Sequence, residues 1–85
     1  MDWNFRNDQP IYSQLTQRLT EAIVSGIYAP GEKLPSVREL AVEAGINPNT
    51  VQRALSELER DGLVFSQRTA GRFVTENENM ITNAK

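Results

Sequence analysis

The sequence predicts an α+β, mainly α fold: three helices followed by a C-terminal β-hairpin. Three observations predict it. Residues 36–50 contain two successive helix-start signals around a single glycine, Val51 begins an apolar repeat at helical spacing, and past Gly62 the pattern becomes that of short strands.

Residues 1–9 carry Trp3 and Phe5 among polar neighbours, show no period and read as an N-terminal arm. Pro10 opens a helix whose apolar side is Ile11, Tyr12, Leu15, Leu19, Ala22 and Ile23, with Gln14, Gln17, Arg18 and Glu21 opposite. Gly26 ends it near Ser25. Tyr28-Ala29-Pro30-Gly31-Glu32 is a turn, because proline presets its own φ and glycine accepts a positive one at the next position. Lys33 and Leu34 follow as a very short strand.

Ser36 begins the second helix: its hydroxyl can accept from an orphan N–H while Glu39, three residues on, reaches back. Gly45 follows Ala44 where the chain leaves that helix, so the turn is 44–46. Asn47 caps the third helix, with Pro48 at its first position. Val51, Ala54, Leu55 and Leu58 form its core stripe. Asn49, Thr50, Gln52, Arg53 and Ser56 are left on the other side, with no acid before Glu57. Past Gly62, Leu63-Val64-Phe65-Ser66 and Arg72-Phe73-Val74-Thr75 are strands around the polar turn 67–71, with Phe65, Phe73 and Val74 as apolar anchors against the helices. Two helices joined by a tight turn, followed by this wing, make a winged helix-turn-helix.

A chain of 85 residues holds one small domain, here 10–75, and 76–85 is a tail or the start of a longer helix. With no cysteine there is neither a disulfide nor a cysteine-based zinc site. No apolar run reaches membrane length and the N-terminus lacks a signal-peptide pattern, so a soluble, cytoplasmic protein is expected. An enzymatic reading has little to stand on: histidine is absent, and the acids form no cluster with a nucleophile. Glu57, Glu59 and Asp61 point in different directions and read as a solvated, mutually repelling face rather than a metal site. No cofactor is expected.

The polar side of the third helix has the chemistry of a DNA reader. Asn and Gln match adenine bidentately, and Arg matches guanine or a phosphate. Arg68 and Arg72 flank Thr69-Ala70-Gly71 at the wing tip with no acid between them, which suits a phosphate or a minor groove. The net charge of −2 argues the other way and supports an alternative, a winged helix that binds another protein. Distribution favours DNA: Lys33, Arg38, Arg53, Arg68 and Arg72 lie in or beside the polar surface, and of the acids chiefly Glu39 and Glu43 do. A lone module of this charge should bind weakly.

The order Pro10-Ile11-Tyr12, Gly26, Pro30-Gly31, Leu34-Pro35-Ser36-Val37-Arg38, Asn47-Pro48-Asn49-Thr50-Val51-Gln52-Arg53-Ala54, Gly62-Leu63-Val64 and Gly71-x-Phe73-Val74 resembles the N-terminal domain of the GntR family of bacterial transcription regulators, and within it the YtrA-like subgroup. The resemblance implies a repressor module on a double-stranded operator. Arg38 and the N-terminal half of the helix 47–60, with Asn47 at its start, would meet the major groove, and Gly71 is the wing glycine. Ser36 and Thr50 stand where small hydroxyl residues contact phosphate. This chain has Pro48 and Gln52 where many relatives have Arg, and Thr69-Ala70 where a further wing glycine is common. Guanine reading therefore does not carry over to positions 48 and 52. The family also implies a C-terminal segment that makes a homodimer and in some subgroups binds an effector. Only ten residues follow Thr75, so the chain is expected to be a fragment. The expected phosphate anchors are Lys33, Ser36, Thr50, Arg68 and Arg72, and the expected base readers are Arg38, Asn49, Gln52 and Arg53.

Overall fold

Burial of the α3 stripe organises the chain, for which a computed structural model describes residues 5, 6 and 8–83. The elements are α1 (Ile11–Val24), α2 (Val37–Ala44), α3 (Pro48–Arg60), β1 (Val64–Gln67), β2 (Gly71–Val74) and α4 (Glu78–Asn83). Val51, Ala54, Leu55 and Leu58 of α3 are fully buried together with Leu15, Leu19 and Ile23 of α1 and Leu40 of α2. Leu63, Val64 and Val74 close the same core from the wing side.

The local signals work as the sequence implies. Ser36 Oγ accepts from Glu39 N at 3.1 Å while Glu39 Oε1 accepts from Ser36 N at 3.2 Å, a complete capping box. Gly45 ends α2 in the left-handed region at φ 70°, which a side chain would strain. Asn47 Oδ1 accepts from Asn49 N at 2.8 Å and Pro48 occupies the first turn of α3.

The wing is broader than a hairpin. β1 and β2 pair antiparallel from Val64 opposite Val74 to Gln67 opposite Gly71. The chain before α2 then lies along the other side of β2, where Leu34 N donates to Arg72 O at 2.8 Å and Val74 N to Glu32 O at 2.9 Å. The short strand expected at Lys33 and Leu34 is thus a single bridge, Lys33 opposite Phe73. The segment 76–85 contains α4, whose Ile81 packs on the core. Residues 84 and 85 lie outside the described set, as do Trp3 and the rest of 1–4.

Five expectations need correction. Gln14 is buried rather than outward: its Oε1 accepts from Arg6 N at 2.6 Å, and its Nε2 donates to the carbonyls of Arg6 at 2.8 Å and Gln9 at 2.9 Å. This one amide satisfies the backbone of the preceding segment, so residues 5 and 6 are not a free arm, and Phe5 packs on the core. Ile11, expected on the core side, is 42% exposed. Phe65 is also 42% exposed and does not close the core; it stacks on its cross-strand partner Phe73 with centroids 5.9 Å apart. Of the acids after Ser56, Glu57 and Glu59 do not form a repelling face either, because Glu57 pairs with Arg60 and Glu59 with Arg72.

Glu59 tethers the wing to α3. Its Oε1 accepts from Ser66 Oγ and from Arg72 Nε, both at 2.6 Å. The Ser66 hydrogen bond lowers the Glu59 pKa below its ordinary value of 4.5; partial burial opposes this, and the hydrogen bond and charge of Arg72 add to it. A depressed carboxylate pKa stabilises the fold above the ordinary value, and that stability is lost as pH falls from 4.5 through the lower folded value. Urea titrations over that window should therefore show a steeper acid loss for the wild type than for Glu59→Gln; equal slopes would mean the tether contributes nothing. Leu55→Ala, which opens a cavity where α3 meets the core, should cost about 2–5 kcal/mol in the same unfolding experiment.

Candidate nucleic-acid interface

The four buried residues of α3 leave its opposite side in solvent. Asn49, Gln52, Arg53 and Ser56 are all exposed, and Thr50 is half-buried at the margin. Nothing in the described chain covers this surface. Ser56 is turned inward in chemical terms, since its hydroxyl donates to Gln52 O at 2.9 Å. The amide side chains of Asn49 and Gln52 and the guanidinium of Arg53 are the groups that remain on this surface.

Arg38 follows the cap of α2 and is exposed, one residue before the Glu39 that completes the capping box. The box fixes the first turn and hence the direction in which Arg38 leaves the helix. The Ser36 oxygen accepts from Glu39 N, and its own O–H remains able to donate to a phosphate oxygen. Asn47 is exposed, but its side-chain oxygen is committed to the cap, so only its amide N–H groups can face outward.

At the wing, Arg68, Thr69 and Gly71 are exposed. Lys33 is brought to them by its bridge to Phe73: its Cε lies 3.1 Å from where a Cβ on Gly71 would stand. Gly71 also has φ 104°, so a side chain there would be strained and would press on Lys33. Arg72 departs from expectation. It is half-buried, and Glu59, an acid from another element, holds its Nε. Its terminal N–H groups are what it can still offer a phosphate.

Two participants were not legible as such in the sequence. Glu59 follows Gln52 and Ser56 at helical spacing and so shares their side, a weak signal, but nothing local announces Arg72 as its partner. Tyr12 was placed on the apolar side of α1. It is half-buried there, with the Arg53 guanidinium carbon 3.7 Å from its ring centroid. The arrangement gives a surface of amides and cations, with two of its arginines held by groups on other elements. Lys33, Arg38, Arg53 and Arg68 are all exposed, on a chain of net charge −2.

An interaction domain for another protein should show a broad apolar patch. The exposed large hydrophobics among the described residues are Ile11, Ile27, Val42 and Phe65, each from a different part of the chain. No described helix is long and apolar enough to cross a membrane.

Comparison with known proteins agrees with this geometry. The HTH-type transcriptional repressor YtrA of Bacillus subtilis is 49% identical over 72 residues, which are 85% of this chain and 55% of YtrA. The chain therefore spans little more than half the length of that relative. Among solved structures, a GntR family transcriptional regulator from Listeria monocytogenes superposes with a TM-score of 0.91 at 40% identity, covering 94% of this chain and 70% of that one. The DNA-binding domain of AraR in complex with operator ORX1 superposes with a TM-score of 0.75 at 30% identity, over 79% of this chain and 81% of that one. The profile of bacterial regulatory proteins of the gntR family matches residues 11–74, which takes in every element from α1 to β2. With its capped helix-turn-helix and two-stranded wing inside that span, the chain belongs to the GntR family of bacterial regulatory proteins.

Proposed function

We propose that this chain is the sequence-specific DNA-binding module of a transcriptional repressor, with α3 in the major groove and the wing on the backbone or in the minor groove. The observation that carries the reading is the bare side of α3, where Asn49, Gln52 and Arg53 are exposed beside Arg38. The operator complex of the AraR domain supports it, since that domain shares the fold at 30% identity. The repressor role follows YtrA, so named.

In this reading Arg38, Asn49, Gln52 and Arg53 face base edges, while Lys33, Ser36, Thr50 and Arg68 hold phosphates. Asn47 lies at the groove entrance. Thr69 and Gly71 let the wing tip approach the sugar-phosphate chain, and Arg72 adds its terminal N–H groups. No catalytic role is assigned. The functional regulator would be a cytoplasmic homodimer, with 10–75 as the reading unit and α4 leading into the dimerisation segment of a longer chain. A single module with so few cations should bind weakly, and pairing two on adjacent half-sites supplies the missing affinity.

The experiment is selection of duplexes from a random-sequence pool, followed by fluorescence anisotropy on the enriched and a scrambled duplex at two salt concentrations. Affinity should fall steeply with salt on both. Binding that is absent, or insensitive to salt, would defeat the reading. Arg38→Ala should cost about 1–3 kcal/mol on the enriched duplex and little on the scrambled one, whereas Arg68→Ala should weaken both alike. Equal losses from Arg38→Ala on the two duplexes would demote Arg38 to an anchor.

A further inference from the structure

Arg53 and Tyr12 come from different helices, yet the guanidinium carbon of Arg53 lies 3.7 Å from the Tyr12 ring centroid. That is the contact distance of two flat groups, and the ring's negative face attracts the cation. Other arginines of the chain are held by carboxylates: Arg6 by Asp8, Arg60 by Glu57 and Arg72 by Glu59. A carboxylate occupies N–H donors and cancels charge. An aromatic face does neither, so a stacked guanidinium keeps its donors and its charge while losing its freedom. Arg53 is itself exposed on the same side of α3 as Asn49 and Gln52, and Tyr12 is half-buried, so the ring is the fixed member of the pair.

We propose that Tyr12 is a positioning residue for DNA readout: through its ring it sets the plane of the Arg53 guanidinium before the duplex arrives. This rests on the DNA-reading role of α3 given above. The first helix then contributes to recognition without touching DNA, and the stack replaces an ordering step that a free arginine would undergo on binding. A flat cation fixed this way presents a fork to guanine or to a phosphate, where a lysine would present a point charge.

Two measurements test the proposal separately from the DNA reading. In the free wild-type chain, the Arg53 δ-methylene and Nε–H resonances should be displaced upfield by the ring current, and Tyr12→Leu should return them. No displacement in the wild type would overturn the stack. Binding is then read by anisotropy on the duplex enriched by the wild type. Tyr12→Leu, or Tyr12→Met if the leucine variant does not fold, should bind about three- to tenfold more weakly, while Tyr12→Phe keeps wild-type affinity. In an Arg53→Ala background the Tyr12→Leu change should have no further effect. A loss of the same size in both backgrounds would assign Tyr12 to packing or to direct contact, and a loss in Tyr12→Phe would assign it to its hydroxyl; each overturns the proposal. Failure of the wild type to enrich any duplex overturns the DNA role while leaving the ring-current result to stand or fall by itself.

Discussion

Burial of one side of α3 is the constraint on which everything else depends. Val51, Ala54, Leu55 and Leu58 have no alternative to the core formed by Leu15, Leu19, Ile23 and Leu40. Once they are inside, the rotation of the helix about its own axis is settled, and Asn49, Gln52 and Arg53 must look outward. Recognition chemistry is thus a by-product of packing geometry. The caps refine it: Asn47 sets where α3 begins, and the Ser36 and Glu39 pair sets where α2 begins, so the relative register of Arg38 and the α3 amides follows from two start signals.

Charge in this molecule is handled locally rather than globally. The chain carries 11 acids against 9 bases, a poor ratio for meeting a polyanion. Two acids are neutralised by basic partners, Glu57 by Arg60 and Glu59 by Arg72, while Glu39 keeps its charge and completes a cap. Glu59 is notable because it belongs to α3 itself. Its carboxylate draws the base of the wing onto the helix and removes part of the Arg72 charge from the wing's reach. Tyr12 treats Arg53 in the opposite way, restraining the cation without neutralising it.

Much of this was legible in the sequence, and the limits have physical causes. Both caps, the glycine turn and the α3 stripe depend on residues within a few positions of one another, and those signals gave the right elements at nearly the right boundaries. What escaped were side chains whose partners are distant. Gln14 sat among polar residues and read as solvated, but the backbone of Arg6 and Gln9 folds over it, and an irregular segment leaves no periodic trace. Phe65 looked like a core anchor because it is aromatic in a strand, whereas strand alternation gives the buried place to Val64. At the site, exposure of the polar face was readable from α3 alone, but the engagement of Arg72 and of Arg53 was not, since Glu59 and Tyr12 meet them only through the tertiary fold.

The segment 32–34 alongside β2 has a mechanical meaning. A two-stranded ribbon held to the helices by the side chain of Glu59 alone would pivot at its base, because few bonds hold it. Here Leu34 N to Arg72 O and Val74 N to Glu32 O strap the ribbon to the chain that enters α2 three residues later. A load applied at the wing tip is therefore carried along that strap to Ser36 and Arg38. Wing and helix-turn-helix are thereby coupled as one bracket, and the separation between Arg68 and Arg38 is set by the fold itself.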